Sequence, residues 1–169
     1  MGFSCDTIIV VDGVDKVRPD LAGIADVYVG DADSTDPAFL VEWCSMGRLC
    51  LIHFHGDNYN HLLPYCPFPT GTIITSQLFC APPVLGVGGY TDGDRALAVS
   101  MALRALEVSV TGFNFNHVYR VHKGSRSASG DKRVKLGLAR ILLERLMEVY
   151  GYRLARRDTL GFQLRRELK

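Results

Sequence analysis

Stretches of β-branched apolar residues alternate along this chain with stretches of helical periodicity, and this alternation limits the folds open to it. Residues 7–13 (TIIVVDG) and 26–31 (DVYVGD) each predict a buried strand that ends at Asp and Gly. Residues 34–47 (STDPAFLVEWCSMG) predict a helix, because Asp36 can cap its start and Gly47 can end it. Buried strands separated by helices predict an α/β fold, with a mainly parallel sheet flanked by helices.

The same alternation continues beyond these first elements. Further strands are predicted at 48–57, 71–76, 83–89 and 107–113, and further helices at 94–106 and 131–150. At 169 residues, 47% of them hydrophobic, the chain suits one domain with a continuous core. We therefore expect a single domain over 1–169, with 151–169 as a basic C-terminal extension that packs on it.

The number and spacing of the cysteines, together with the lengths of the apolar runs, indicate the cellular compartment of the protein. The five cysteines are odd in number, widely spaced and contain no C-x-x-C pair, so neither a disulfide framework nor a cysteine zinc site is predicted. The opening residues MGFSCD lack the pattern of a signal peptide, and no apolar run approaches the roughly 18 residues of a membrane helix. We expect a cytoplasmic protein that does not interact with a membrane.

Charge is distributed unevenly along the chain. Residues 1–116 contain 5 Lys and Arg against 13 Asp and Glu, whereas residues 117–169 contain 14 against 5. An acidic front and a basic back suit a site that binds metal ions through carboxylates and anions through Lys and Arg. The alternative is two solvated faces that attract each other.

Polar motifs follow four of the predicted strands. They are Asp12, residues 30–34 (GDADS), residues 55–58 (HGDN) and residues 91–95 (TDGDR). All four would lie at carboxyl ends of strands, which is the edge where open α/β sheets bind their ligands.

Capping is the alternative role for each of these aspartates. We expect Asp36 to be a helix cap, and for Asp31 and Asp33 metal ligation and capping both remain open. At a helix start, capping explains one of Asp92 and Asp94 but not both together with an arginine.

Residues 53–58 (HFHGDN) suggest a metal-dependent hydrolase. They nearly match the H-x-H-x-D-H motif of metallo-β-lactamase-fold hydrolases, in which two metal ions activate water. Because Asn58 occupies the last position, the match is incomplete. We expect His53 to pack under the sheet edge and His55 to lie near the site without binding metal.

Magnesium and a nucleoside triphosphate fit the whole pattern better. Mg²⁺ prefers oxygen ligands and usually binds one or two carboxylates together with water and phosphate oxygens. Phosphoryl chemistry also needs cations, and the candidates are Arg95, Lys132, Arg133 and Lys135. No G-x-x-x-x-G-K-[ST] loop occurs, so metal and scattered basic residues would have to hold the phosphates.

A family resemblance rests on six motifs in a fixed order: GDADS, HGDN, TSQ, VGGYTDGDRA, VTGFNF and DKRVKL. Together they resemble the archaeal-type 6-hydroxymethyl-7,8-dihydropterin pyrophosphokinases, over about residues 7–150. Those proteins resemble thiamin pyrophosphokinase, which implies a fold like its catalytic domain. The GDADS turn is closer to the G-D-x-D-S turn of the thiamin enzyme, so thiamin remains an alternative acceptor.

The resemblance implies transfer of the β,γ-diphosphate of ATP to the hydroxymethyl group of the pterin, with release of AMP, in folate-like or tetrahydromethanopterin-like cofactor synthesis. Mg²⁺ would be the cofactor. The implied metal ligands are Asp31, Asp33, Asp57, Asp92 and Asp94. The implied catalytic residues are Asp57, Asp92 and Arg95, the ATP contacts are Arg95, Lys132 and Lys135, and the substrate contacts are Asp12, Asn58 and Gln77, with Phe113 or Phe115 stacking on the ring.

The basic tail, residues 153–169 (RLARRDTLGFQLRRELK), is the feature that a nucleic-acid-binding protein would use. Its aromatic residues do not interleave with basic ones as a stacking platform requires, so we expect no nucleic acid partner. A closing hairpin or amphipathic strand is the simpler interpretation of the tail. The expected partners are ATP and a pterin, and the sequence leaves open whether the protein is a homo-oligomer.

Overall fold

The computed structural model describes residues 6–56, 58–63, 66–77, 81–113, 115, 129–157 and 160–167. The chain divides into two compact units, Met1–Val87 and Gly88–Lys169. Each unit has its own sheet. The single-domain organisation over 1–169 stays a prediction.

The first unit is built on a five-stranded sheet, ordered β1-β2-β3-β4-β5, in which every described pairing is parallel. Its strands are β1 (Ile9–Val11), β2 (Val27–Gly30), β3 (Leu49–His53), β4 (Thr72–Ser76) and β5 (Leu85–Gly86). Its helices are α1 (Val14–Val17), α2 (Pro19–Ile24), α3 (Pro37–Ser45) and α4 (Tyr59–Leu62). The predicted α/β fold with a mainly parallel sheet is confirmed for this unit.

Local sequence explains where α3 begins. Asp36 precedes the helix in an extended conformation, and its carboxylate accepts the backbone N–H of Ala38 at 2.8 Å. Pro37 occupies the first helical position, where its missing N–H has no cost. The predicted capping role of Asp36 is confirmed.

The core of the first unit lies where α3 packs on the sheet. Trp43 of α3 is 1% exposed and contacts Tyr28 of β2, with ring centroids 6.5 Å apart. Strands β2 and β3 place Val29 opposite Leu51 and Gly30 opposite Ile52. This register brings the residues that follow β2 and β3 to the same edge of the sheet.

The second unit is a three-stranded antiparallel sheet, ordered β6-β8-β7, with two helices. Its elements are α5 (Asp92–Ala102), β6 (Glu107–Thr111), α6 (Ser129–Tyr150), β7 (Tyr152–Arg157) and β8 (Gly161–Arg166). The strand predicted at 107–113 therefore does not join the parallel sheet. It pairs instead with the tail, which forms a hairpin and supplies two of the three strands, as its simpler interpretation predicted.

The second core is formed by residues from both helices and from the tail. Its buried members are Leu97, Met101, Leu143, Tyr152, Phe162 and Leu164. Among the described residues, no helix has the length and the apolar character that crossing a bilayer requires.

Candidate functional site

The turn after β2, residues 30–34 (GDADS), has a backbone that only small residues allow. A Cβ at Gly30 would lie 2.6 Å from the Tyr28 hydroxyl oxygen and 2.7 Å from the Asp12 Cβ. Ala32 has a φ of 61°, in the left-handed region that most side chains avoid. Across Ala32, the Asp31 carboxylate accepts the N–H of Asp33 at 3.3 Å, as in an Asx turn.

This turn gathers three carboxylates at one end of the sheet. Asp12 follows β1, while Asp31 and Asp33 follow β2, and one carboxylate oxygen of each lies within 4.8 Å of the others. We call these three residues the acidic cluster. Parallel strands that end at the same edge bring the residues together, as the sequence predicted.

Asp12 is the member of the cluster whose side chain is held most firmly. One carboxylate oxygen accepts a hydrogen bond from the Tyr28 hydroxyl, and the other accepts the N–H of Ser34 at 2.8 Å. Burial raises the pKa of Asp12 to about 6, and the negative charge of Asp31 adds to the rise, although hydrogen bonds from Thr35 and Tyr28 oppose it. A cation bound beside this carboxylate would offset both the burial and the negative charge of Asp31.

Asp33 lies at the exposed side of the cluster. Burial alone would raise the pKa of Asp33, but hydrogen bonds outweigh it, foremost that from the Ser34 hydroxyl at 2.7 Å, and they hold the pKa below its usual value. Asp33 therefore carries a negative charge at neutral pH and offers it toward solvent.

The donor set of the acidic cluster fits Mg²⁺. Its ligands are all carboxylate oxygens, which hard cations prefer, and its exposed side leaves room for water and phosphate oxygens. Among the described residues, the group of side chains close enough to share a metal ion consists of three aspartates and includes no histidine. This composition suits magnesium better than the zinc site that HFHGDN suggested.

The loop after β3 is fastened to the acidic cluster by Asn58. Its amide donates to the carbonyl of His53 at 2.7 Å and to the carbonyl of Asp31 at 3.2 Å, and its side-chain oxygen accepts the N–H of His55 at 3.2 Å. Asn58 is only 2% exposed. Its hydrogen bonds thus join the ends of β2 and β3, and its predicted contact with substrate stays a prediction.

The two histidines of HFHGDN occupy different environments. His53 is 1% exposed at the end of β3, with its ring 3.2 Å from the Thr75 hydroxyl, which agrees with its predicted packing under the sheet edge. The ring of His55 lies 3.3 Å from a carboxylate oxygen of Asp31. Asp57, a predicted catalytic residue and metal ligand, lies outside the described residues. Gln77, a predicted substrate contact, is exposed just after β4.

In the second unit, the motif TDGDR forms the first turn of α5. Thr91 is the N-cap, and Asp94 completes a capping box with it. The Asp94 carboxylate accepts the N–H of Tyr90 at 2.8 Å, the N–H of Thr91 at 2.7 Å and the Thr91 hydroxyl. At 1% exposure, Asp94 has its oxygens directed into the helix start. Its predicted role as a metal ligand is untested, but capping alone explains its position.

Arg95 is buried beside this capping box at 3% exposure. Its guanidinium donates to Asp92 at 2.7 Å and to the carbonyl of Gly89 at 3.5 Å. A Cβ at Gly89 would lie 2.9 Å from the Cβ of Arg95, so only glycine allows this approach. The buried Nε of Arg95 has no hydrogen-bond partner among the described residues, which leaves one donor available to an anion.

The other predicted ligand contacts of the second unit lie on α6 and beside β6. Lys132 is partly buried and Lys135 is exposed, both near the start of α6. Phe113 and Phe115 pack edge to face with centroids 4.9 Å apart, and Phe115 stacks on Phe162 at 6.0 Å. These rings thus contribute to the core of the second unit, and their predicted stacking on a substrate is untested.

Sequence reasoning missed two polar residues beneath the acidic cluster, Tyr28 and Thr35. The Tyr28 hydroxyl lies 3.2 Å from the Thr35 hydroxyl, which accepts the N–H of Gly13 at 2.8 Å. The available signal was the spacing of Tyr28 and Gly30, because residues i and i+2 of a strand share one face. A tyrosine beside a glycine on a buried face indicates that its hydroxyl extends past that glycine.

Comparison with known proteins gives three archaeal relatives, all named 6-hydroxymethyl-7,8-dihydropterin pyrophosphokinase. The protein from Methanothermobacter thermautotrophicus is 30% identical over 144 residues, which cover 82% of this chain and 62% of the relative. The protein from Pyrococcus furiosus is 33% identical over 151 residues, covering 84% of this chain and 62% of the relative. The protein from Methanocaldococcus jannaschii is 30% identical over 113 residues, which cover 64% of this chain and 46% of the relative.

The resemblance predicted from the six motifs is therefore confirmed. The chain spans about three fifths of the length of the first two relatives. No protein-family model matches it.

Proposed function

We propose that this protein transfers the β,γ-diphosphate of ATP to the hydroxymethyl group of 6-hydroxymethyl-7,8-dihydropterin and releases AMP. The names of the three archaeal relatives support this reaction. The observation that carries the proposal is the convergence of Asp12, Asp31 and Asp33 to within 4.8 Å at the carboxyl edge of a parallel sheet. That edge is where such sheets bind nucleotides and other ligands.

The acidic cluster is the proposed magnesium site. When bound, Mg²⁺ would neutralise phosphate oxygens and so favour attack on phosphorus. Asp12 would bind from the buried side, with its orientation fixed by Tyr28 and Ser34. Asp31 and Asp33 would bind from the turn, where the side chain of Asp33 is exposed. This set adds Asp12, predicted as a substrate contact, to the two predicted ligands of the turn.

The proposed reaction forms one bond and breaks another at the β-phosphorus of ATP. The hydroxymethyl oxygen of the pterin bonds to that phosphorus, the bond to the oxygen bridging the α- and β-phosphates breaks, and AMP leaves with that oxygen. The hydroxyl proton needs a carboxylate acceptor. Asp57 and Asp92 are the proposed candidates, and Asp92 is held in place by its ion pair with Arg95 at 2.7 Å.

Cations are proposed to bind the triphosphate. Arg95 carries the best structural support, because it is buried, fixed by Asp92 and has an Nε without a partner among the described residues. Lys132 and Lys135, near the start of α6, are proposed as point charges for the same anion. Asn58 and Gln77 are proposed for the pterin, although the hydrogen bonds of Asn58 to the loop make a supporting role equally suitable.

A cytoplasmic location is part of the proposal. The described cysteines Cys44, Cys50 and Cys66 are free thiols, as in a reducing compartment. ATP and reduced pterins would be available there.

Product analysis by ³¹P NMR tests the proposed function. The full chain is mixed with ATP, Mg²⁺ and 6-hydroxymethyl-7,8-dihydropterin, and a parallel sample contains thiamin as acceptor. We expect AMP and a pterin diphosphate ester in the first sample, and no product when EDTA removes the metal. AMP with thiamin alone would reassign the acceptor, whereas ADP, free phosphate or unchanged ATP in both samples would refute diphosphate transfer.

A further inference from the structure

Beneath the acidic cluster lies a buried hydroxyl that packing alone does not require. Tyr28 is 0% exposed in a parallel sheet, where phenylalanine would fill nearly the same space without a polar atom. A buried hydroxyl has a desolvation cost unless it is hydrogen-bonded. Here the hydroxyl donates to the carboxylate of Asp12.

The fold makes room for this contact at Gly30. Tyr28 and Gly30 lie on the same face of β2, and a Cβ at position 30 would come within 2.6 Å of the Tyr28 hydroxyl oxygen and 2.7 Å of the Asp12 Cβ. Any other residue at position 30 would displace one of the two groups. The glycine of the GDADS turn is therefore tied to the contact between Tyr28 and Asp12.

Thr35 holds the other side of the Tyr28 hydroxyl. Its own hydroxyl lies 3.2 Å from that of Tyr28 and accepts the N–H of Gly13, the residue after Asp12. Thr35 is 4% exposed. The buried hydroxyls of Tyr28 and Thr35 thus connect the residues that follow β1 with those that follow β2.

We infer that Tyr28 is a positioning residue, which holds the Asp12 carboxylate in the orientation that binds the metal ion. With Tyr28 on one oxygen and the Ser34 N–H on the other, the carboxylate plane is fixed, and each oxygen keeps a lone pair for a ligand. Groups that hydrogen-bond to metal ligands typically change metal affinity by about 10- to 100-fold when removed. This inference rests on the magnesium site of the proposed function.

Mn²⁺ binding to the full chain, measured by electron paramagnetic resonance without ATP or pterin, tests the inference. Mn²⁺ accepts the same oxygen ligands as Mg²⁺ and gives a direct signal. We expect Tyr28→Phe to raise the Kd for Mn²⁺ about tenfold or more while the circular dichroism spectrum stays unchanged. The matched control is Tyr59→Phe, whose side chain is 56% exposed in the same unit, and it should bind like the wild type.

A second pair of variants keeps the test decisive if Tyr28→Phe does not fold. Thr35→Ser retains the hydroxyl beside Tyr28 and should bind Mn²⁺ like the wild type, whereas Thr35→Val removes the hydroxyl and should raise the Kd. A Kd within twofold of wild type for folded Tyr28→Phe would overturn the positioning role. If that variant does not fold, a Kd within twofold of wild type for Thr35→Val, which loses the hydroxyl beside both Tyr28 and Asp12, would overturn it.

The failure of this inference is distinguishable from that of the proposed function. If the wild type transfers diphosphate and Tyr28→Phe binds Mn²⁺ normally, the positioning role alone is wrong. If the wild type binds no Mn²⁺, the magnesium site and the positioning role are both overturned.

Discussion

The turn after β2 and the start of α5 have similar sequences but use their carboxylates differently. In GDADS, Asp31 and Asp33 come together with Asp12 on the first unit, and the exposed side of the cluster faces solvent. In TDGDR, the Asp94 carboxylate accepts two backbone N–H groups and a hydroxyl, and Asp92 pairs with Arg95. A helix start can thus use a carboxylate fully in capping, whereas the turn after a parallel strand leaves carboxylates available to a ligand.

The largest expected effect is on catalysis in the GDADS turn. We predict that Asp33→Ala lowers diphosphate transfer by about 10²- to 10³-fold, because a carboxylate of the magnesium site is lost. Its side chain is exposed, so the thermal midpoint of unfolding should change little. The rate is measured as AMP formed, with Asp20→Ala as control, since Asp20 is exposed and lies outside the cluster. Unchanged activity in Asp33→Ala would remove this residue from the site.

Much of this comparison was accessible from the sequence. The parallel strands and the carboxyl edge that collects Asp31 and Asp33 follow from β-branched runs that end in Asp and Gly. The capping box could also have been found, because threonine followed three positions later by an acidic residue is its sequence signature. Strand ends and helix caps are local features, so local patterns are sufficient to predict them.

The remaining features depend on contacts between residues distant in the chain. Asp12 and Ser34 are 22 positions apart, and their hydrogen bond appears only when β1 and β2 pair in the observed register. The pairing of β6 with β8 joins residues more than 50 positions apart, as in Val110 opposite Phe162. The strand at 107–113 was predicted, but an apolar run does not indicate which sheet it enters, and its antiparallel pairing with β8 appears only in the structure.

The next largest effect is on stability at the start of α5. We predict that Asp94→Asn lowers the free energy of unfolding by about 2 to 3 kcal/mol, because a capping box is weakened and buried donors lose a charged acceptor. Urea denaturation measures this loss. The folded fraction should keep far more activity than Asp33→Ala. A stable Asp94→Asn protein that has lost activity would instead favour the predicted role of Asp94 as a metal ligand.

The free energy of unfolding should depend on pH because the acidic cluster contains Asp12, whose pKa is raised. The pKa of Asp12 is raised by burial from 3.8 to about 6, so the folded protein binds its proton more tightly than the unfolded chain does. The stability that Asp12 contributes to the metal-free protein is therefore fully present below pH 3.8, and it is lost as the pH rises through about 6. Asp12→Asn should abolish this component in urea titrations between pH 4 and 7. An identical pH dependence in wild type and variant would contradict it.

The smallest effect concerns the backbone of the GDADS turn. Ala32 has a φ of 61°, which glycine adopts at less cost. We predict that Ala32→Gly changes the free energy of unfolding by less than about 1 kcal/mol, since relief of strain offsets the larger entropy of the unfolded chain. Ala32→Val, which is β-branched, should be clearly less stable when thermal unfolding is compared. Equal stability of the two variants would show that this left-handed conformation is not required.

Mn²⁺ binding to Asp31→Asn and Asp94→Asn, measured by electron paramagnetic resonance, most directly tests whether the metal site is the acidic cluster. The start of α5 is expected to be a structural cap instead. We predict that folded Asp94→Asn binds Mn²⁺ with the affinity of the wild type, whereas Asp31→Asn binds at least tenfold more weakly. Normal binding by Asp31→Asn, together with loss of binding in folded Asp94→Asn, would contradict this prediction.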